Sequence, residues 1–92
     1  MSASVTDNPE RHRFELRVGD AVAFATYRLE RDRVVVTHTE VPSALNGQGI
    51  GSRLARGVLD LVRGSGRRLV PECEFMAAFA QRHPEYADIV DA

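Results

Sequence analysis

The sequence predicts a mixed α/β (α+β) domain of order β-β-β-α-β-α, with a mostly antiparallel sheet holding one parallel pair. Three observations carry this. Between Arg13 and Val41 three runs suit strands, the first with apolar and charged residues strictly alternating. From Gly49 to Arg63 the apolar spacing lengthens to that of a helix. After Gly64-Ser65-Gly66 a short apolar-centred run returns and is closed by Pro71.

In the first run, Arg13 to Val18, the alternation turns Phe14, Leu16 and Val18 toward the core. Gly19-Asp20 is a two-residue hairpin signal leading into Ala21 to Leu29. Glu30-Arg31-Asp32 makes the next turn, and Arg33 to Val41 is rich in β-branched residues. Its central valines are apolar on both faces, so this third strand is expected inside the sheet, ended by Pro42. The helix carries Ile50, Leu54, Val58 and Leu61 on one stripe, with Arg53, Arg56, Asp60 and Arg63 opposite. Arg67 to Pro71 reads as the fourth strand, and a strand-helix-strand succession sets it parallel beside the third. A helix resumes near Glu74 with Phe75, Ala78 and Phe79 on one face, and Pro84 to Val90 reads as a short terminal helix opened by proline.

At 92 residues the chain has room for one core, expected over residues 12–92 after a flexible leader at 1–11. A net charge of −1, with no basic stripe, gives no electrostatic reason to expect nucleic acid or an anionic membrane as partner. No apolar run nears the roughly 20 residues of a membrane span. Cys73 is the single cysteine, and Met1-Ser2-Ala3-Ser4 lacks a secretory profile, so a reducing cytoplasm is expected. Isolated histidines with one cysteine predict no structural metal site.

The richest local signal is Asn46-Gly47-Gln48-Gly49-Ile50-Gly51-Ser52, a glycine-rich turn between a strand and a helix. There backbone amides converge and the helix dipole favours an anion. No Gly-Lys-Ser/Thr follows, and the spacing is not that of the dinucleotide fingerprint, which disfavours nucleoside triphosphates and NAD. The bland alternative is a tight turn whose glycines serve only backbone angles and close packing.

This loop resembles the acetyl-coenzyme A signature of the GNAT superfamily of N-acetyltransferases: Arg or Gln, two residues, Gly, one residue, then Gly or Ala. Gly49 and Gly51 fall on the glycine positions, and Asn46 stands where Arg or Gln is usual. More narrowly, several stretches resemble the small YjdJ-type members of the superfamily. They are Val41-Pro42 through Arg53, Gly66-Arg67-Arg68, Val70-Pro71, Cys73, Phe75 and Arg82-His83-Pro84-Glu85-Tyr86. The resemblance implies a minimal GNAT core that holds acetyl-coenzyme A where the third and fourth strands splay apart. It implies that Asn46, Gly47, Gln48, Gly49, Ile50, Gly51 and Ser52 surround the pyrophosphate, with Arg53 adding charge nearby. Thr39, Glu40 and Val41 would pair strand-like with the pantetheine amides, and a main-chain N–H there would polarise the thioester carbonyl.

His38 and Cys73 then fall near the reacting carbon. His38, expected on the face of Val36 and Glu40, suits a base that deprotonates an ammonium, or else a histidine simply bonded within the sheet. Cys73 follows the last strand and opens a helix, where the dipole favours a thiolate. It could carry an acyl group, protonate the leaving thiolate, or line the site inertly. Glu72 and Glu74 beside it read as solvated charges or as an attraction for a cationic acceptor. The implied function is acetyl transfer to an unidentified amine, with an open cleft suiting a protein or peptide. The alternative is a non-catalytic coenzyme A-binding or sensing module.

Overall fold

The computed structural model describes residues 4–91. It contains β1 (Thr6–Asn8), a 3-10 turn (Pro9–Arg11), β2 (Arg13–Val18), β3 (Ala21–Glu30), β4 (Arg33–Glu40) and a second 3-10 turn (Ser43–Leu45). α1 (Ile50–Gly64), β5 (Arg68–Pro71), α2 (Glu74–Arg82) and a final 3-10 turn (Pro84–Tyr86) complete it. The five strands lie in sequence order. All pairs are antiparallel except β4 and β5, joined in parallel from Arg33↔Arg68 to Val36↔Pro71.

The hairpins follow from local chemistry. Gly19 takes φ +61°, which a two-residue turn of this kind demands of its first position, and Val18↔Ala21 closes the ladder across it. Phe14, Leu16, Ala23, Ala25, Tyr27, Val34 and Val36 then share one face, since cross-strand partners point the same way. Both helices pack there: Leu54, Ala55, Val58, Leu59 and Val62 of α1 join Met76 and Phe79 of α2 in one apolar cluster. Val35, pointing the other way, is buried as well, so the valine run is covered on both sides.

Four expectations are corrected. Residues 6–11 are not a frayed leader, because Thr6–Asn8 pairs with Arg13–Glu15 and the Tyr27 hydroxyl donates to Asp7 at 2.6 Å; residues 1–3 lie outside the described residues. Val5 continues this anchorage by packing directly over Gly57 of α1, where a Cβ would collide with its side chain. On α1 the buried stripe runs through Leu59 and Val62, while Leu61 is turned out at 39% exposure. Likewise α2 buries Met76 and Phe79, leaving Phe75 and Ala78 exposed. The segment after Pro84 makes one 3-10 turn rather than a helix. Its apolar residues serve the sheet instead: the Leu69 amide donates to Ile89 at 2.8 Å, the Asp91 amide to Leu69 at 2.8 Å, and Val90 bridges Leu69 in parallel.

Burial, followed by the hydrogen bond to Asp7, pushes the Tyr27 phenol up to about 12. An unfolded phenol titrates near 10, so the folded chain keeps a proton that the unfolded chain loses between about pH 10 and 12. The resulting stability is complete below pH 10 and lost as pH rises through about 12. Tyr27→Phe is therefore expected to flatten the alkaline fall in stability by on the order of 1–2 kcal/mol, measured by urea unfolding from about pH 9 to 12. A residual slope should persist, because burial and Asp60 raise Tyr86 as well.

Candidate functional site

The parallel pair ends early, and that ending makes the site. Beyond Val36 and Pro71 the chains part: the amides of Glu72 and Cys73 both donate to the Val36 carbonyl, at 3.0 and 3.2 Å. Among the described residues no ladder joins β4 to the following chain past that carbonyl. In the same place β4 carries a bulge. Tyr27 faces Val36 and Thr26 faces His38, so Thr37 is the extra residue.

The bulge reverses the facing of everything after it. His38 was expected on the face of Val36; it lies on the opposite, helix-free face, because its partner Thr26 points there. Its Nε2 lies 3.2 Å from Glu40 Oε1, its ring meets Phe24 edge-on at 6.5 Å, and it is 59% exposed. Thr39 takes the inward direction instead, and its Oγ1 is 3.3 Å from Cys73 Sγ. Hence β4 brings Thr39, not His38, to the cysteine. Cys73 packs partly against the core and caps α2, its sulfur accepting from the Met76 amide at 3.4 Å. Glu72 pairs with Arg28 at 3.3 Å on the open face, and Glu74 sits in the first turn of α2.

At the other side of the parting lies the glycine-rich loop. Gly47 and Gly49 adopt left-handed φ of +80° and +69°. Gly49 is the residue from which α1 departs, and its carbonyl accepts the first helical bond, from Arg53 at 3.1 Å. A glycine in this position offers no capping side chain, and the first turn holds no acidic residue. Among the described residues the opening amides of this fifteen-residue helix thus receive no side-chain cap from Gly49, and the positive end of the dipole lies behind them. A cavity of about 260 Å³ collects Val41, Asn46, Gly47, Gly49, Ile50, Gly51 and Ser52, together with Leu45 and Phe75. The remaining candidates stand outside it. Thr39 and Glu40 belong to the parted end of β4, and Gln48 is an exposed loop residue. Arg53 lines a different cavity, of about 400 Å³, with Val5, Arg56 and Asp60. Leu45 and Phe75 are additions to the implied set: Leu45 gave no signal beyond being apolar in a loop, whereas Phe75 was among the residues that carry the resemblance but was read as a packing residue of the helix.

An antiparallel sheet with a single parallel pair, parting beside a glycine-opened helix, defines the class: an N-acetyltransferase fold. The family model described as GCN5-related N-acetyl-transferase matches residues 13–89, and the chain belongs to that family. It is 31% identical over 83 residues to Protein NATD1 of Bos taurus, covering 87% of this chain and 74% of the relative. An NMR solution structure of a GCN5-like protein from Staphylococcus aureus shares the fold, with a TM-score of 0.74 at 23% identity over 97% of this chain and 88% of that one. Among the described residues no helix is long and apolar enough to cross a membrane, and no three His, Cys, Asp or Glu side chains gather as a metal site.

An added Cβ at Gly47 or Gly49 would meet nothing within 4 Å, so substitution there strains only the backbone. Gly47→Ala and Gly49→Ala are each expected to cost about 1–2 kcal/mol of stability in urea unfolding, the penalty of left-handed φ for a residue with a Cβ.

Proposed function

We propose that this chain binds acetyl-coenzyme A and transfers its acetyl group to an amine, with a protein or peptide amine suited to the open acceptor side. The observation that supports this best is the uncapped N-terminus of α1, opened by Gly49 beside the parting of β4 and β5. In this reading the pyrophosphate sits against the amides around Gly49 and Gly51, flanked by Asn46, Gly47, Gln48, Ile50 and Ser52, with Arg53 contributing charge from the flank. Pantetheine runs along the freed edge of Thr39, Glu40 and Val41, and a main-chain N–H there receives the developing oxyanion.

The amine nitrogen, freed of its extra proton, attacks the thioester carbon. The C–S bond breaks, its electron pair leaves with sulfur, the nitrogen gives up a second proton as the amide forms, and the thiolate takes a proton. His38, beside Glu40 on the open face, suits the first proton transfer; Cys73, turned inward, suits the last. A base and an acid on opposite sides of the reacting carbon serve direct transfer, whereas a covalent acyl-cysteine would need the histidine beside the sulfur. The opposed facing of His38 and Cys73 favours direct transfer. A coenzyme A-binding module without turnover is the competing reading, favoured by the exposure of His38 and Glu40.

Release of coenzyme A from acetyl-coenzyme A in the presence of a diverse amine panel tests the enzyme. Binding without release would leave the module. Gly49→Glu is expected to weaken coenzyme A binding at least tenfold beyond Gly49→Ala, which carries the same backbone strain without the charge; equal affinities in calorimetry would remove the loop from the site. Cys73→Ala should cut turnover roughly 100-fold while leaving coenzyme A affinity within about twofold. Undiminished turnover would exclude the thiol as proton donor.

A further inference from the structure

The helix-free face of the sheet carries one large aromatic ring among charged side chains. Phe24 turns outward because Ala23 and Ala25, its neighbours along β3, take the core. It is half-buried and stands outside the core cluster. The register gives it two carboxylates as direct cross-strand neighbours, Glu15 on β2 and Glu40 on β4. The two flanks differ. On the β2 side Glu15 holds Arg13 at 2.6 Å, and the Arg13 guanidinium stands 4.6 Å from the centre of the Phe24 ring. The chain thus fills this flank with a cation of its own, held by a carboxylate against an aromatic face. On the β4 side the ring meets His38 edge-on, and among the described residues Glu40 is bonded to His38 and to no arginine. A cavity of about 370 Å³ opens on the same face, lined by Ser4, Thr6, Glu15, Arg17 and Val22.

From this juxtaposition we infer that Phe24 and Glu40 select the acceptor as a primary ammonium on a flexible hydrocarbon stem, the chemistry of a lysine side chain in a peptide. The inference rests on the transfer reading proposed above and names the class of its acceptor. The ammonium completes at Glu40 the arrangement that Arg13 makes at Glu15, beside the imidazole that takes its proton. Methylenes of the stem lie across the exposed part of the ring, and the peptide that bears them sits over the cavity beyond. Neighbouring strands are about 4.8 Å apart, so an amine that touches the ring on β3 and also passes β4 to the parting needs several methylenes. A stem of one methylene serves one of these places and not both. Phe24 therefore acts on acceptor affinity and leaves the thioester side of the site unaltered.

Release of coenzyme A with two acceptors tests this: a peptide with a blocked N-terminus and one lysine, and the same peptide with diaminopropionic acid in place of the lysine, which shortens the stem to one methylene. For the parent chain kcat/KM is expected to be roughly tenfold higher with lysine. Phe24→Ala should raise KM for the lysine peptide roughly tenfold, the worth of about two methylenes removed from water, and Phe24→Leu roughly threefold, with kcat within about twofold of the parent in both. Melting temperatures within a few degrees of the parent, and coenzyme A affinity within about twofold, check the fold and the cofactor site. A parent chain that prefers the short stem, or an unchanged lysine KM in both variants, would overturn the assignment. So would a loss confined to kcat, which would make Phe24 a support for His38 and no more. Release with other amines and with neither peptide would overturn this inference alone. Coenzyme A binding without release to any amine ends the transfer reading, and this inference with it.

Discussion

The Val36 carbonyl is the point on which the site depends. It ends the parallel ladder by accepting two successive amides, from Glu72 and Cys73, and so fixes where β4 and the chain after β5 separate. A strand pair that ran on would satisfy its own backbone and leave no groups for a ligand. One that stopped sooner would place Cys73 away from Thr39. The bulge at Thr37 acts at the same spot, and together the two features decide which residues of β4 look inward.

The four strands β2 to β5 and the extent of α1 were legible in the sequence because their patterns are local. Period two in Phe14-Glu15-Leu16, the Gly19 turn and the valine run lead directly to the observed sheet and its parallel pair. What was illegible depends on distant partners. Nothing in Thr37-His38-Thr39 announces an extra residue, since the bulge exists only against Thr26 and Tyr27 of β3. Spacing alone therefore gave His38 the wrong face. The leader was misread for a related reason: Thr6–Asn8 is short and polar, and its order comes from β2, from Tyr27 and from Val5 seated over Gly57. The segment after Pro84 has a helix-start residue, yet Ile89 and Val90 have a better use beside Leu69.

The glycine loop shows how one motif combines separate constraints. Gly47 and Gly49 answer to backbone conformation, whereas Gly51 has no positive φ and lies under the ring of Phe75. A sequence pattern records all three as the same letter. Only the packing separates them, and it relates the third to α2 rather than to the loop itself.

The strand-like pairing of residues 89–91 with Leu69 also bears on how the chain behaves among copies of itself. A sheet edge with free N–H and C=O groups invites another strand, and β5 is short, apolar-centred and otherwise unaccompanied on its outer side. The Ile89 carbonyl and Asp91 amide occupy that side, while Arg33 and Arg68 hold Asp91 in place at 3.1 and 2.6 Å. The opposite edge, β1, offers three residues only. Both margins of the sheet are thus poor templates for assembly into fibres.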